Sequence, residues 1–160
     1  MSRALIIATL VGTGLNAGVF FSYSTFTMQG LARLQPGAGV EAMQQINHEA
    51  PRAPLMLLLF GTGALSIAVM VGAAGSLGET ASVYRMVAAA LFLAGAILVT
   101  AVYHVPRNNR LDAMDATSVE AATYWSTYLD EWVRMNHVRT IAPTVSTLLL
   151  ALSLVVGEGA

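Results

Sequence analysis

Four long apolar stretches, separated by more polar connections, constrain the fold of this chain most strongly. They span Ala4–Thr27, Pro54–Ala74, Val83–Tyr103 and Ile141–Gly157 and carry almost no charge. A bilayer core of about 30 Å is crossed by about 20 helical residues. The sequence therefore predicts an all-α integral membrane four-helix bundle, with residues 1–160 forming a single four-span domain.

The composition narrows the possible functions. Of the 160 residues, 11% are charged, whereas a soluble domain has about 25%. Cysteine is absent, which excludes disulfides, thiolate metal sites, iron–sulfur clusters and thiol redox chemistry. The formal net charge is −1, lysine is absent and the arginines are dispersed. Nothing resembles a polybasic patch, so we expect no nucleic acid partner.

The connection between spans 1 and 2 contains a short amphipathic segment. Val40, Met43 and Ile46 recur on one side of a helix predicted over Gly39–Glu49. An amphipathic helix of this kind is typical of the membrane–water interface.

The last connection precedes span 4. Pro106 is predicted to end span 3, since proline interrupts helical hydrogen bonding. Thr117 and Glu120 have the spacing of a capping box, which predicts a longer helix starting near Ser118. That helix is predicted to continue, with a bend at Pro143, into span 4.

Small residues punctuate spans 1 and 2. Gly14 and Gly18 form a small-xxx-small pair, and Gly61 and Gly63 form another small segment. Such pairs allow close helix approach in membranes. These surfaces exceed what a four-helix core needs, and they favour association of the chain into a homo-oligomer.

The arginines indicate an orientation. Most of them lie in the two long connections, which the positive-inside rule places in the cytoplasm. We therefore expect a bacterial inner-membrane protein with cytoplasmic long connections. The arginines concerned are Arg33, Arg52, Arg107, Arg110, Arg134 and Arg139.

Three polar clusters fall on one side of the membrane, because an even number of spans separates the long connections. They lie at 47–49, 104–110 and 136–139 and contain all three histidines. Histidine exchanges protons near neutral pH, and asparagine and arginine donate to developing oxyanions. An aromatic face formed by Trp125, Tyr128 and Trp132 accompanies them, which fits either ring stacking on a ligand or core packing.

The residues carry a family resemblance. The segments at 14–34, 42–47, 105–111 ("VPRNNRL") and 132–140 ("WVRMNHVRT") resemble the anthrone oxygenase-like membrane proteins. A few fungal members of that family oxidise an anthrone to an anthraquinone with O2, without a known cofactor. The family pattern maps onto Asn47, Pro106, Asn108, Asn109, Trp132, Asn136, His137 and Arg139. At His104 the chain departs from the family's usual asparagine.

The resemblance implies a membrane oxygenase for a lipophilic aromatic small molecule, with O2 as co-substrate and no cofactor. In this hypothesis His137 is the general base, and Asn136, Asn108 and Arg139 stabilise the substrate oxygen. Substrate contacts are assigned to Trp132, Tyr128, Trp125, Asn109, Asn47 and His104.

Two alternatives remain open at this stage. The chain could be a non-catalytic accessory membrane protein whose polar clusters are structural. It could also be a metal or haem protein with His104 and His137 as ligands, although no local H-x-x-x-H or E-x-x-H spacing supports such a site.

Overall fold

A computed structural model describes residues 1–52 and 54–157 of the chain, in which helices and turns occur and no strand does. Segments with π-helical hydrogen bonding interrupt two of the long helices. The elements are α1 (Arg3–Ser22), π1 (Tyr23–Thr27), α2 (Met28–Ala32), α3 (Pro36–Glu49), α4 (Leu55–Ala74), α5 (Thr80–Phe92), π2 (Leu93–Leu98), π3 (Thr100–His104), α6 (Val105–Asp112) and α7 (Val119–Val156).

Within the described residues, four helical stretches are long and apolar enough to cross a membrane: Arg3–Ala32, Leu55–Ala74, Thr80–Asp112 and Val119–Val156. This confirms the predicted all-α membrane bundle. The helix α7 packs against both α1 and α5, and α4 packs against the same two helices from the other side. The four spans thereby surround a common interior.

The prediction that Pro106 ends span 3 is wrong. The helix continues to Asp112, with Pro106 in the first turn of α6 directly after π3. A proline is tolerated in the first turn of an α-helical segment, where the missing N–H removes little intrahelical bonding. The π-helical turns before it supply the local change of hydrogen-bond register.

The helix predicted before span 4 and span 4 itself are one continuous helix, α7, with Pro143 inside it. Its N-terminal cap is Ser118, whose hydroxyl accepts from the Ala121 N–H at 3.0 Å. The predicted capping residue Thr117 instead donates its N–H and its hydroxyl to Asp115, both at 2.8 Å. These two hydrogen bonds hold the pKa of the Asp115 carboxyl below its usual range.

The predicted amphipathic helix exists as α3 and begins one turn earlier than expected. Val40 and Met43 are almost fully buried against Trp125, Tyr128 and Trp132 of α7. The apolar side of α3 therefore packs on protein, and it closes one end of the bundle over the aromatic face.

Close helix contacts occur at other glycines than predicted. A β-carbon added at Gly18 would meet no described atom of another helix within 4 Å, and one added at Gly14 would make only ordinary contact with Thr147. Gly95 lies directly against Ala142 of α7, so an added β-carbon would overlap the Ala142 methyl group. Association through the open Gly18 surface stays a prediction.

This difference gives a stability test. Gly95→Ala is expected to destabilise the protein by about 1–3 kcal/mol, because two helices would have to move apart in a packed interior. Gly18→Ala is the matched control and is expected to be neutral or stabilising, since alanine favours helix over glycine. Thermal unfolding midpoints in detergent compare the two; equal midpoints would contradict the assigned packing.

Candidate functional site

A cavity of about 280 Å³ lies inside the bundle, among α1, α3, α4, the second half of span 3, and α7. Its walls on α1 and α4 are mostly apolar and include Phe20, Leu59 and Phe60. Its polar side chains come mainly from span 3 and α7. They include His104, Asn108, Trp132 and Arg139.

Trp132 and Tyr128 fix the orientation of Asn108. The Asn108 Oδ1 atom accepts from the Tyr128 hydroxyl at 2.8 Å and from Trp132 Nε1 at 3.0 Å. An indole nitrogen can only donate, so the amide oxygen has to face it. The Asn108 Nδ2 group is thereby left as a donor in the cavity wall.

Tyr128 and Trp125, which the oxygenase hypothesis assigned to substrate contact, belong to the core. Tyr128 is fully buried, and its ring stacks on Trp125 at 5.6 Å between centroids. Trp125 also covers Gly39 so closely that a β-carbon there would meet the indole ring. Neither residue lines the cavity; of the three aromatic residues on this face, only Trp132 does.

Arg139 carries a positive charge into the cavity wall. Its guanidinium carbon lies 4.1 Å from the centroid of Phe20 and 5.5 Å from that of Trp132. Its Nε atom is buried and has no hydrogen-bond partner in the part of the chain that the structure describes. Among the described residues, the ion pairs join Arg52 to Glu49 and Arg107 to Glu131, and neither reaches Arg139.

His104 is buried beside Trp132, with the two rings edge to face at 4.8 Å. Its Nδ1 faces the Val99 carbonyl oxygen and its Nε2 faces the Trp132 carbonyl oxygen, each at 3.4 Å. A neutral imidazole carries one N–H, so it can donate to one of these oxygens only. A protonated ring could donate to both.

The predicted oxyanion donor Asn136 is engaged elsewhere. Its Nδ2 group donates to the Phe20 carbonyl oxygen at 2.7 Å and to Ser24 Oγ at 2.8 Å. Both amide hydrogens are therefore used to join α7 to span 1 beside π1. No donor remains for a substrate oxygen, and Asn136 does not line the cavity.

His137 lies on a different face of α7 from the cavity. It is exposed and lines a shallow surface depression with Gln29, Asp130 and Arg134. One residue along a helix changes the direction of a side chain by about 100°, so Asn136 points inward and His137 does not. The structure does not bring the predicted base to the other candidate residues.

The remaining predicted contacts line the cavity where α3 meets α6. Asn47 and Asn109 are both there, and Asn47 Nδ2 donates to Asp112 Oδ1 at 2.9 Å. Sequence reasoning missed Asp112, Tyr23 and Thr100 as lining residues. Residues four apart lie on the same face of a helix. Asp112 follows Asn108 by four residues and Thr100 precedes His104 by four, so this spacing could have predicted both.

The positions of the histidines test the alternative of a metal or haem site with His104 and His137 as ligands. His104 lines the cavity and His137 lines the separate surface depression, so they do not form a common ligand pair. In residues 1–52 and 54–157, no group of three or more histidine, aspartate or glutamate side chains is placed to hold a metal ion.

A comparison with known protein families shows which family the chain belongs to. A family model described as Anthrone oxygenase matches residues 55–149, more than half of the chain. The chain belongs to the anthrone oxygenase family. The matched part begins with α4 and reaches far into α7, so it contains His104, Asn108, Trp132 and Arg139. No curated protein and no solved structure matches the chain.

The hydrogen bonds that Tyr128 and Trp132 donate to Asn108 lead to a stability prediction for this member of the anthrone oxygenase family. Asn108→Leu leaves the Tyr128 hydroxyl and Trp132 Nε1 without their acceptor, and each unsatisfied buried donor costs about 1–3 kcal/mol. The matched control is Asn109→Leu, on an exposed neighbouring side chain. We expect a clear fall of the thermal unfolding midpoint in detergent for the first variant only.

Proposed function

We propose that the protein is a membrane oxygenase that converts a lipophilic anthrone-like aromatic compound to a quinone, using O2 and no resident cofactor. The observation that carries this proposal is Arg139, a cation in the wall of an aromatic cavity with no carboxylate partner among the described residues. Membership of the anthrone oxygenase family supports the reaction class.

A half-buried cation without a carboxylate partner among the described residues favours an anionic ligand. Holding an unpaired charge in a poorly solvated site costs several kcal/mol, and ionisable side chains inside membrane spans generally mark functional sites. Loss of a C–H proton from an anthrone gives an enolate whose negative charge rests on oxygen. Arg139 would stabilise that oxygen most once the charge has formed, which is the condition for catalysis.

His104 is the side chain that would take the C–H proton. In the neutral ring one nitrogen has a lone pair, and the contacts of 3.4 Å to two carbonyl oxygens are too long to lock the ring in place. After proton transfer, both N–H groups would face a carbonyl oxygen. Asn108 Nδ2 would supply a second donor to the enolate oxygen.

The reaction balances with O2 as the oxidant. The enolate carbon forms a bond to oxygen, and the resulting peroxide takes up the proton from His104. The O–O bond then breaks as the second proton leaves the same carbon, which gives the new carbonyl group and one water. Four electrons are transferred: the ring carbon is oxidised from CH2 to C=O and O2 is reduced.

Turnover by purified protein tests the proposal. Anthrone oxidation by detergent-solubilised protein is followed as quinone absorbance above the spontaneous rate, with and without a metal chelator. We expect turnover that the chelator does not change. A rate equal to the spontaneous background would reject the proposed reaction, and loss of turnover with chelator would reject its independence from metal.

A further inference from the structure

A groove on the outer surface of the bundle adjoins the cavity. It has a volume of about 860 Å³ and runs between α1 and the start of α4, with the end of α3 above it. Five residues line both the groove and the cavity: Val19, Tyr23, Ile46, Ala50 and Leu55. The partition between the two spaces therefore consists of a single layer of side chains.

Close contacts join α1 and α4 next to the groove. Gly12 faces Thr62 so closely that a β-carbon on Gly12 would overlap the threonine side chain. Asn16 reaches across at the next turn, with its Nδ2 group 3.3 Å from Thr62 Oγ1 and 3.5 Å from the Leu58 carbonyl oxygen. Toward Leu55, the groove lies between the two helices and is lined there by Val19 and Leu55.

The surface of the groove changes from apolar to polar along its length. Leu15 and Leu58 form its apolar part inside the predicted spans, and Leu15 is 56% exposed. The other end carries the exposed Glu49–Arg52 ion pair at 2.9 Å. This distribution matches the change from acyl chains to headgroups in a bilayer.

We propose that this groove is a lateral portal through which a lipophilic aromatic ligand passes from the bilayer into the cavity, past Val19, Tyr23 and Leu55. Tyr23 connects the two spaces directly: its ring lies 5.6 Å from that of Trp132 inside the cavity. The nature of the ligand rests on the proposed function, whereas the existence of the portal does not.

Tryptophan fluorescence tests the portal without any turnover. The chain has two tryptophans, so Trp125→Phe leaves Trp132 as the sole reporter. In vesicles of phosphatidylcholine with brominated acyl chains, we expect strong loss of Trp132 emission. Adding Val19→Phe, which places a ring in the partition, is expected to recover most of that emission. Leu55→Phe fills the partition from α4 and serves if the first variant does not fold.

Two controls make the result specific. Leu98→Phe changes an exposed side chain on span 3 and is expected to leave the quenching unchanged. In the Trp132→Phe background, Trp125 reports from the core, and Val19→Phe is expected to have no effect there. Equal quenching of Trp132 with and without both partition variants would overturn the portal, as would quenching by aqueous acrylamide but not by brominated lipid. Absence of anthrone turnover would reject the proposed function only.

Discussion

Replacing Arg139 with methionine is expected to lower kcat/KM for anthrone oxidation about a hundred- to a thousandfold, the usual effect of removing an oxyanion donor. Methionine has a similar length, so the wall of the cavity should keep its shape. The thermal unfolding midpoint is expected to stay the same or rise. Loss of the cation–π contacts to Phe20 and Trp132 costs about 0.5–2 kcal/mol, whereas burying the unpaired charge costs several.

A fall in activity without a fall in the thermal unfolding midpoint separates a binding role from a structural one. Steady-state kinetics and thermal unfolding in the same detergent measure the activity and the midpoint. Arg139→Lys keeps the charge without the planar geometry and is expected to retain more activity than Arg139→Met. If Arg139→Met keeps full activity, or loses activity only in proportion to lost folded protein, the assignment of Arg139 to the substrate oxygen is wrong.

The spans were predictable because hydropathy and length alone determine them. The third span shows where that reasoning stops, since Pro106 was expected to end the helix. A proline is compatible with helix when the preceding turns shift their hydrogen bonds, as π2 and π3 do. Nothing in the local residue types announces that shift, because it depends on how span 3 packs against its neighbours.

The sequence predicted which residues line the cavity better than it predicted their chemical roles. Asn108, Trp132, Arg139, Asn47, Asn109 and His104 all line the cavity. Asn136 and His137 do not line the cavity, although they lie between Trp132 and Arg139 in the sequence. Membership of a polar cluster says which end of the bundle a side chain is near, but the rotation of α7 decides which neighbour points inward. That rotation follows from packing partners on α1 and span 3, which a single sequence does not reveal.

The histidines provide the second decisive prediction. His104→Gln is expected to lower kcat about a hundred- to ten-thousandfold, the range typical of a lost general base, because glutamine accepts a hydrogen bond without taking a proton. His137→Gln is the matched control. It makes the same change on an exposed side chain outside the cavity, and we expect its kcat to remain close to that of the unmodified protein. Kinetics at saturating anthrone compare the two variants.

Asp112→Asn completes the comparison, since Asp112 also lines the cavity and a carboxylate can act as a base. Its Oδ1 already accepts from Asn47 at 2.9 Å, and we expect the variant to keep most of its activity. If Asp112→Asn loses turnover and His104→Gln does not, the base is the carboxylate where α3 meets α6. If His137→Gln is the inactive variant, the chemistry does not occur in this cavity. The resemblance places an asparagine at position 104 in other members of the family, so a base at His104 would distinguish this chain from them.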